Sequence, residues 1–336
     1  MPVIQTSGLT KVYRTYRKER GLRGSIKGLV KRRYDETRAA DQVSFNIDEG
    51  EFVGFLGPNG AGKTTVLKML SGLLNPTSGD ARVLGFVPWE RRNEMKRQFS
   101  LLMGQKNALW WDLPAQESLE LNRAIYGIDP VRFKKVVDGL SELLEVQDKM
   151  NVMVRELSLG ERMKMELISA LIHEPRVLFL DEPTSGLDPV HRQHIWNLLY
   201  DLSNEGKTIF VTTHYMDEAE RCTEVGFIEG GRLLAKASPR ALKSSFRTRL
   251  LEIDVDPLMP ALVRLRDLPE LLGVSLRSGS LRLYTPEAEQ LIARWRENWP
   301  FPDIRLLGER WVQPDMEDVF TAYSQGYDGV LKRSDS

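Results

Sequence analysis

The chain has 336 residues, 41% hydrophobic and 28% charged, which supplies enough apolar material for a buried core. Its 47 basic side chains balance 47 acidic ones, so no overall charge favours a nucleic-acid partner. The single cysteine excludes an internal disulfide, and the N-terminus lacks the apolar stretch of a secretory signal. No run of about 18 apolar residues occurs, so the sequence predicts a cytoplasmic protein without a membrane span of its own.

Short β-strands are predicted near the start of the chain, at residues 2–13, 37–50 and 51–57. Apolar runs that begin at Val177 and Thr208 are typical of strands buried on both faces, which favours a parallel sheet. The intervening stretch carries mainly helical patterns. These patterns predict an α/β core with a helical subdomain inserted at about residues 106–174.

The pattern changes beyond about residue 239 to strand, helix, two strands, helix, strand and helix. This order fits a small ferredoxin-like α+β domain over residues 239–326. The change of pattern places a first, larger domain over residues 1–238. The tail at residues 327–336 is expected to be flexible.

A basic insertion is predicted at about residues 14–38, between two strands that should pair. Nine basic residues and one acidic residue lie between Arg14 and Arg33. Four apolar residues share one helical face there: Leu22, Ile26, Leu29 and Val30. Either a short amphipathic helix on anionic lipid headgroups or a solvated basic loop fits this pattern. Nucleic acid is not expected, because aromatic residues only flank the insertion.

The segment GPNGAGKT matches the full pattern G-x-x-x-x-G-K-[ST]. Glycines at these positions let backbone N–H groups surround a β-phosphate, the lysine reaches the β/γ oxygens, and the hydroxyl can ligate Mg²⁺. A strand before the motif and a helix after it supply the required context. The predicted nucleotide contacts are Gly57, Pro58, Asn59, Gly60, Ala61, Gly62, Lys63, Thr64 and Thr65.

Two carboxylates, Asp181 and Glu182, follow four apolar residues and so end a strand, where ligands of parallel sheets bind. We expect Asp181 to hold Mg²⁺ through water, together with Thr64. Glu182 is the expected base that polarises the attacking water.

The stretch RELSLGERMKMEL has two interpretations. Ser158 and Glu161 have the spacing of a capping box at the start of a helix. With Gly160 beside them, the same helix N-terminus is also suited to bind a phosphate.

Six motifs of this sequence, taken together, resemble those of the ATP-binding cassette (ABC) family, over about residues 3–237. GPNGAGKT is similar to its Walker A, VLFLDE to its Walker B, LSLGE to its signature motif and SGLD to its D-loop. Gln105 and His214 take the places of the Q-loop glutamine and the switch histidine. The resemblance implies a P-loop NTPase core of ABC type, with an N-terminal antiparallel β subdomain, that uses ATP and Mg²⁺.

In that family, the signature motif of one subunit binds ATP that is held by the Walker A of another. The resemblance therefore implies that Ser158, Gly160 and the D-loop Asp188 contact the nucleotide of a neighbouring subunit. It further implies that Gln105 contacts Mg²⁺ and water, and that His214 contacts the γ-phosphate. Without the resemblance, Gln105 reads as a loop amide and His214 as an ordinary residue near a helix cap. The signature departs from LSGGQ at Leu159 and Glu161.

The stretches LSLGERMK, GQKNALWWDLP and MEDVFTAY resemble the ATPases of ABC-2-type exporters. This narrower resemblance implies a separate transmembrane permease, a second ATPase subunit, identical or homologous, and a peripheral position on the cytoplasmic face of the inner membrane. Trp110 and Trp111 precede a helix in the region that, by the resemblance, receives the permease. They fit either an interface or a pair packed in the core.

Three side-chain assignments remain. Tyr13 is expected to stack on adenine, with Tyr16 as its rival. His191 and His194 are interpreted as a solvated face, and no metal site formed by protein ligands alone is expected.

The alternative functions are a soluble ABC ATPase that acts on ribosomes or DNA, and a nucleotide-binding regulator that hydrolyses little.

Overall fold

A computed structural model describes residues 2–16, 34–104, 107–247, 249–327 and 329–331. The chain divides into two compact units, Met1–Lys236 and Ala237–Ser336. Within the described ranges, no helix combines the length and the apolar character that a bilayer span requires.

The strands of the first unit are β1 (Pro2–Tyr16), β2 (Tyr34–Asp48), β3 (Phe52–Leu56), β4 (Ser78–Val83), β5 (Phe99–Met103), β6 (Val177–Asp181), β7 (Thr208–Thr213), β8 (Glu224–Glu229) and β9 (Arg232–Ala237). Its helices are α1 (Lys63–Leu70), α2 (Asn93–Lys96), α3 (Ala115–Tyr126), α4 (Pro130–Leu143), α5 (Leu159–Leu171), α6 (Pro189–Asn204) and α7 (Met216–Ala219).

Six of these strands form a sheet in the order β5-β6-β7-β3-β8-β9. The neighbours β5 and β6, β6 and β7, β7 and β3, and β3 and β8 run parallel. Phe55, Phe179 and Phe210 pack at the centre of this sheet, with 4.6 Å between the ring centroids of Phe55 and Phe210. The predicted parallel sheet, buried on both faces, is confirmed.

A second sheet of three antiparallel strands, in the order β2-β1-β4, forms the N-terminal β subdomain. Its apolar face joins the same core, through residues such as Ile4, Leu9 and Ile47. The helices α3, α4 and α5 form the inserted helical region. Two of them begin in the way their sequences favour, since Asp129 caps α4 with Pro130 in its first turn, and Ser158 caps α5.

The predicted limits of the basic insertion were too wide. Residues 14–16 and 34–38 continue the β1–β2 ladder, in which Arg14 pairs with Glu36 at 2.8 Å. Residues 14–15 and 34–38 are exposed on both faces, so these strand ends carry no alternation of buried apolar residues that would mark them as strands. Residues 17–33, where an amphipathic helix was considered, lie outside the described residues.

The second unit contains α8 (Pro239–Ser244), β10 (Leu250–Asp256), α9 (Leu258–Arg266), β11 (Gly273–Arg277), β12 (Ser280–Tyr284), α10 (Ala288–Glu297), β13 (Arg305–Val312) and α11 (Met316–Gln325). Its sheet has the order β11-β12-β10-β13, with all neighbours antiparallel. This element order and this strand order are those of the ferredoxin-like α+β fold.

The expectation of a flexible tail from Tyr327 was wrong for residues 329–331. Val330 and Leu331 are 1% and 6% exposed, and Leu331 forms a β-bridge with Phe246. The Arg247 N–H donates a hydrogen bond to the Val330 carbonyl at 2.9 Å. Burial of these two apolar side chains fixes the segment, and the sequence gives no sign of it because the bridge partner, Phe246, lies more than about 80 residues earlier.

Candidate nucleotide site

The site lies where three parallel neighbours, β3, β7 and β6, end at the same edge of the sheet. In register, Leu56 pairs with Thr213 and Asp181 with Thr212. The loop after β3, the carboxylates after β6 and the histidine after β7 therefore meet at one place. Together with Leu159 and Ser185 they line a cavity of about 930 Å³.

The loop between β3 and α1 owes its glycines to two different constraints. A Cβ at Gly57 would lie 2.1 Å from the Ile228 carbonyl oxygen, and one at Gly62 would lie 2.2 Å from that of Ala39. Gly60 has open space but a φ of +82°, which side chains rarely adopt. The helix α1 begins at Lys63 without a side-chain cap, so its first N–H groups are available to an anion in the cavity.

Lys63 is almost fully buried, with 4% of its side chain exposed. Its Nζ donates to the carbonyls of Gly57 at 2.7 Å and Pro58 at 3.1 Å. It also lies 3.3 Å from a carboxylate oxygen of Glu182. A buried ammonium group held next to an open cavity is poised to exchange these partners for a phosphate oxygen.

The Asp181 carboxylate accepts hydrogen bonds from two hydroxyl groups. Thr64 Oγ1 lies 3.0 and 2.9 Å from its two oxygens, and Thr212 donates to it at 2.6 Å. Carboxylate and hydroxyl oxygens are the ligands that Mg²⁺ takes together with phosphate oxygens. The residues present therefore fit an Mg²⁺ ion held by Thr64 and Asp181, and the ion would neutralise charge on the phosphates.

Glu182 adopts a left-handed conformation, with a φ of +49°, which is uncommon for a residue with a side chain. Its N–H donates to the Thr212 carbonyl and lies equally close, at 3.1 Å, to the Thr212 hydroxyl. Its second carboxylate oxygen is 3.6 Å from Nδ1 of His214. That Nδ1 is buried and has no hydrogen-bond partner within the described residues. The left-handed backbone of Glu182 is a source of strain, and such strain is often found where a side chain must be held in a particular direction.

At the signature segment the capping box is formed. Ser158 Oγ accepts from the Glu161 N–H at 3.2 Å, and Glu161 accepts from the Ser158 N–H at 2.9 Å. The Ser158 N–H, with a contribution from Lys149, holds the pKa of the Glu161 carboxyl below its ordinary value. A Cβ at Gly160 would lie 2.4 Å from the His191 ring, so packing of α5 on α6 by itself requires glycine here. Leu159 remains 38% exposed and lines the cavity.

The structure does not bring every expected residue to the cavity. Tyr13 lies on β1, 41% exposed, and does not line the cavity. Asp188 caps α6 and holds Nδ1 of His191 at 2.5 Å. Gln105 lies outside the described residues, so its assigned contacts stay predictions.

The interpretation of His191 and His194 as a solvated face was wrong. Their side chains are 29% and 27% exposed, and each has a charged partner. His191 binds Asp188 and covers Gly160, whereas Nδ1 of His194 lies 3.0 Å from the buried Lys164 ammonium. The contacts arise because α6 packs on α5, which helical spacing alone does not show.

Sequence reasoning missed Thr212, which joins Asp181 to the backbone of Glu182. The available signal was the pair of adjacent threonines at the end of an otherwise apolar strand. Buried hydroxyl groups in such a strand need polar partners, and the nearest strand end carries carboxylates.

Comparisons with known proteins agree with this geometry. A family model described as ABC transporter matches residues 40–185. The Nod factor export ATP-binding protein I of Paraburkholderia xenovorans is 37% identical over 297 residues, which cover 87% of this chain and 93% of that protein. The probable multidrug ABC transporter ATP-binding protein YbhF of Escherichia coli is 38% identical over 213 residues, and the chain covers only 37% of its length.

Solved structures are similar to the chain as well. The dimeric structure of MJ0796, a bacterial ABC transporter cassette, is 25% identical, covers 70% of this chain and 98% of that chain, and has a TM-score of 0.59. A second solved structure, an ATP-binding subunit of an ABC transporter, is 23% identical and has a TM-score of 0.60. The match covers 72% of this chain and 92% of that one, and at this identity it supports the fold alone. The chain belongs to the ABC ATPase family, as an ATP-binding protein of the ABC transporter class.

Proposed function

We propose that this chain is the ATP-hydrolysing subunit of an ABC-2-type exporter, and that it pairs on ATP to drive a separate permease. The observation that carries the proposal is the arrangement of Lys63, Asp181, Glu182 and His214 around one cavity at the end of three parallel strands. The printed names of relatives, multidrug transport and Nod factor export, support export as the direction.

Hydrolysis requires Glu182 to be free of Lys63. In the structure the two form an ion pair at 3.3 Å. A bound phosphate is a stronger partner for the ammonium group, because it offers several charged oxygens. Its arrival releases the Glu182 carboxylate to accept a proton from the attacking water, while His214, 3.6 Å away, orients that carboxylate and contacts the γ-phosphate.

One copy of the chain leaves the nucleotide half enclosed. Ser158 and Gly160, at the N-terminus of α5, do not line the cavity of their own chain, of which only Leu159 in this segment forms part. They supply an anion-binding surface that is available to a second copy. Two copies related by a two-fold axis would present this surface to each other's Lys63 loop. Pairing therefore closes two equivalent sites at once, with Ser158, Gly160 and Asp188 near the partner's nucleotide.

A second cavity of about 370 Å³ includes Ala108, which belongs to the GQKNALWWDLP stretch that the resemblance assigns to the permease contact. It is lined by β5, α3 and α5, including Phe99, Tyr126 and Glu166. Burial raises the pKa of Glu166 to about 7.

Trp110 and Trp111 are 40% and 43% exposed, which argues against a pair packed in the core and favours an interface.

Purification from detergent-solubilised membranes tests the proposal. We expect the tagged chain to co-purify with a polytopic membrane protein and to hydrolyse ATP in that complex. A Trp110→Ala/Trp111→Ala variant should recover several-fold less of the membrane protein, because aromatic anchors carry much of an interface's affinity. The control is Leu276→Ala, which removes a similarly exposed apolar side chain from the second unit. Recovery of ribosomes instead, or a complex without turnover, would contradict the proposal.

A further inference from the structure

We propose that Glu218 is a positioning residue that fixes Glu182 relative to His214. Glu218 lies on α7, and only 1% of it is exposed. One carboxylate oxygen accepts from the Thr184 hydroxyl at 2.6 Å, and the other accepts from the Thr213 hydroxyl at 2.6 Å. Thr184 follows Glu182 by two residues, and Thr213 immediately precedes His214. One buried carboxylate thus ties together the two chain segments that carry these side chains.

Further hydrogen bonds fix the backbone around both threonines that bind Glu218. Thr184 is 1% exposed, and its carbonyl accepts from the Leu187 N–H at 3.2 Å. The Glu182 carbonyl accepts from the Ser185 N–H at 3.2 Å, so Glu182 and Thr184 share one tight turn. On the other side, Thr213 Oγ1 also accepts from the Tyr215 N–H at 3.0 Å, which fixes the chain on both sides of His214.

The charge of Glu218 is offset by Arg192, whose Nε lies 3.6 Å from the carboxylate and whose guanidinium sits 4.3 Å from the Tyr215 ring centroid. Short hydrogen bonds to a buried carboxylate are among the strong ones, because donor and acceptor are shielded from water. A glutamine at 218 keeps the shape but offers one acceptor oxygen where the carboxylate offers two, so one of the two hydroxyl groups must turn from donor to acceptor and a charge-assisted hydrogen bond is lost.

This inference depends on the proposed hydrolysis, because it concerns the geometry of the base. Misplacement of a catalytic group by about 1 Å can cost on the order of 100-fold in rate. Phosphate contacts of the Lys63 loop do not involve Glu218, so ATP binding should be unaffected. Loss of Glu218 is therefore expected to lower kcat and leave the affinity for ATP unchanged.

Steady-state and single-turnover hydrolysis with Glu218→Gln tests the inference. We expect kcat to fall by about 10-fold or more, with the ATP dissociation constant within about two-fold of wild type. Thr184→Val removes one attachment without a change of size, and Thr213→Val removes the other together with the acceptor for the Tyr215 N–H. Each should reproduce part of the loss. Glu220→Gln, an exposed carboxylate on the same turn, serves as the control and should keep wild-type rates.

A combination with Glu182→Gln separates positioning from a general effect on folding. If Glu218 acts through Glu182, then Glu218→Gln has no further effect on the residual single-turnover rate of Glu182→Gln. Equal loss in both backgrounds, loss of ATP affinity together with kcat, or wild-type kcat in Glu218→Gln would each overturn the inference. If the wild-type chain itself does not hydrolyse ATP, the proposed function fails instead.

Discussion

Replacement of Glu182 by glutamine is expected to lower ATP turnover by at least about 100-fold while ATP remains bound, the range typical of a lost general base. The amide keeps the shape of the side chain but cannot accept a proton from water. Because the Lys63–Glu182 ion pair disappears, Lys63 becomes available to phosphate, and ATP affinity should stay the same or increase. Product formation and retention of radiolabelled ATP measure the two effects separately.

The matched control is Glu229→Gln. Glu229 ends β8, the parallel neighbour of β3, so it is a second carboxylate at the carboxyl end of this sheet. It does not line the cavity, and turnover should stay at the wild-type level. Turnover in Glu182→Gln within a few-fold of the control would rule out Glu182 as the base.

Lys63→Ala should weaken ATP binding by about 100-fold, equivalent to about 3 kcal/mol, the range measured when one partner of a buried charge pair is removed. Its ammonium group is buried at the cavity and already oriented by the Gly57 and Pro58 carbonyls. Titration calorimetry with ATP gives the affinity directly.

Lys68→Ala provides the comparison for this effect. Lys68 is a second basic residue of α1 that lines the same cavity, so its removal lowers the local positive charge by the same amount. We expect only a few-fold loss of affinity from it. Equal losses in the two variants would mean that the site attracts ATP through its general field, without a specific lysine contact.

Local sequence patterns predicted the parts of the site that depend on chain neighbours. The loop from Gly57 to Thr64 and the carboxylates Asp181 and Glu182 follow buried strands, and parallel strands bring their carboxyl ends together. The role of Glu218 needed the structure, because Thr184 and Thr213 come from different strand ends. A glutamate in the sequence MDEAE is otherwise indistinguishable from its exposed neighbours.

The signature segment illustrates a different limit. Both interpretations of Ser158 and Glu161 rest on the same spacing, and only the capping box can form within one chain. Gly160 also has a reason to be glycine within one chain, because a Cβ at this position would lie 2.4 Å from the His191 ring. The interpretation that this helix binds a phosphate is therefore tested with two copies of the chain.

Mixing two inactive variants tests the shared site most directly. Lys63→Ala lacks the phosphate lysine, while Ser158→Asp places a carboxylate at the N-cap of α5, which keeps the cap but repels a phosphate. Ser158→Asn, which caps equally well without the charge, should retain activity. In a mixed pair, the Lys63 of one chain faces the intact α5 of the other, so mixing should restore up to about a quarter of wild-type turnover. If the mixture hydrolyses no more ATP than the separate variants, although mixed pairs form, the nucleotide is not enclosed by two chains.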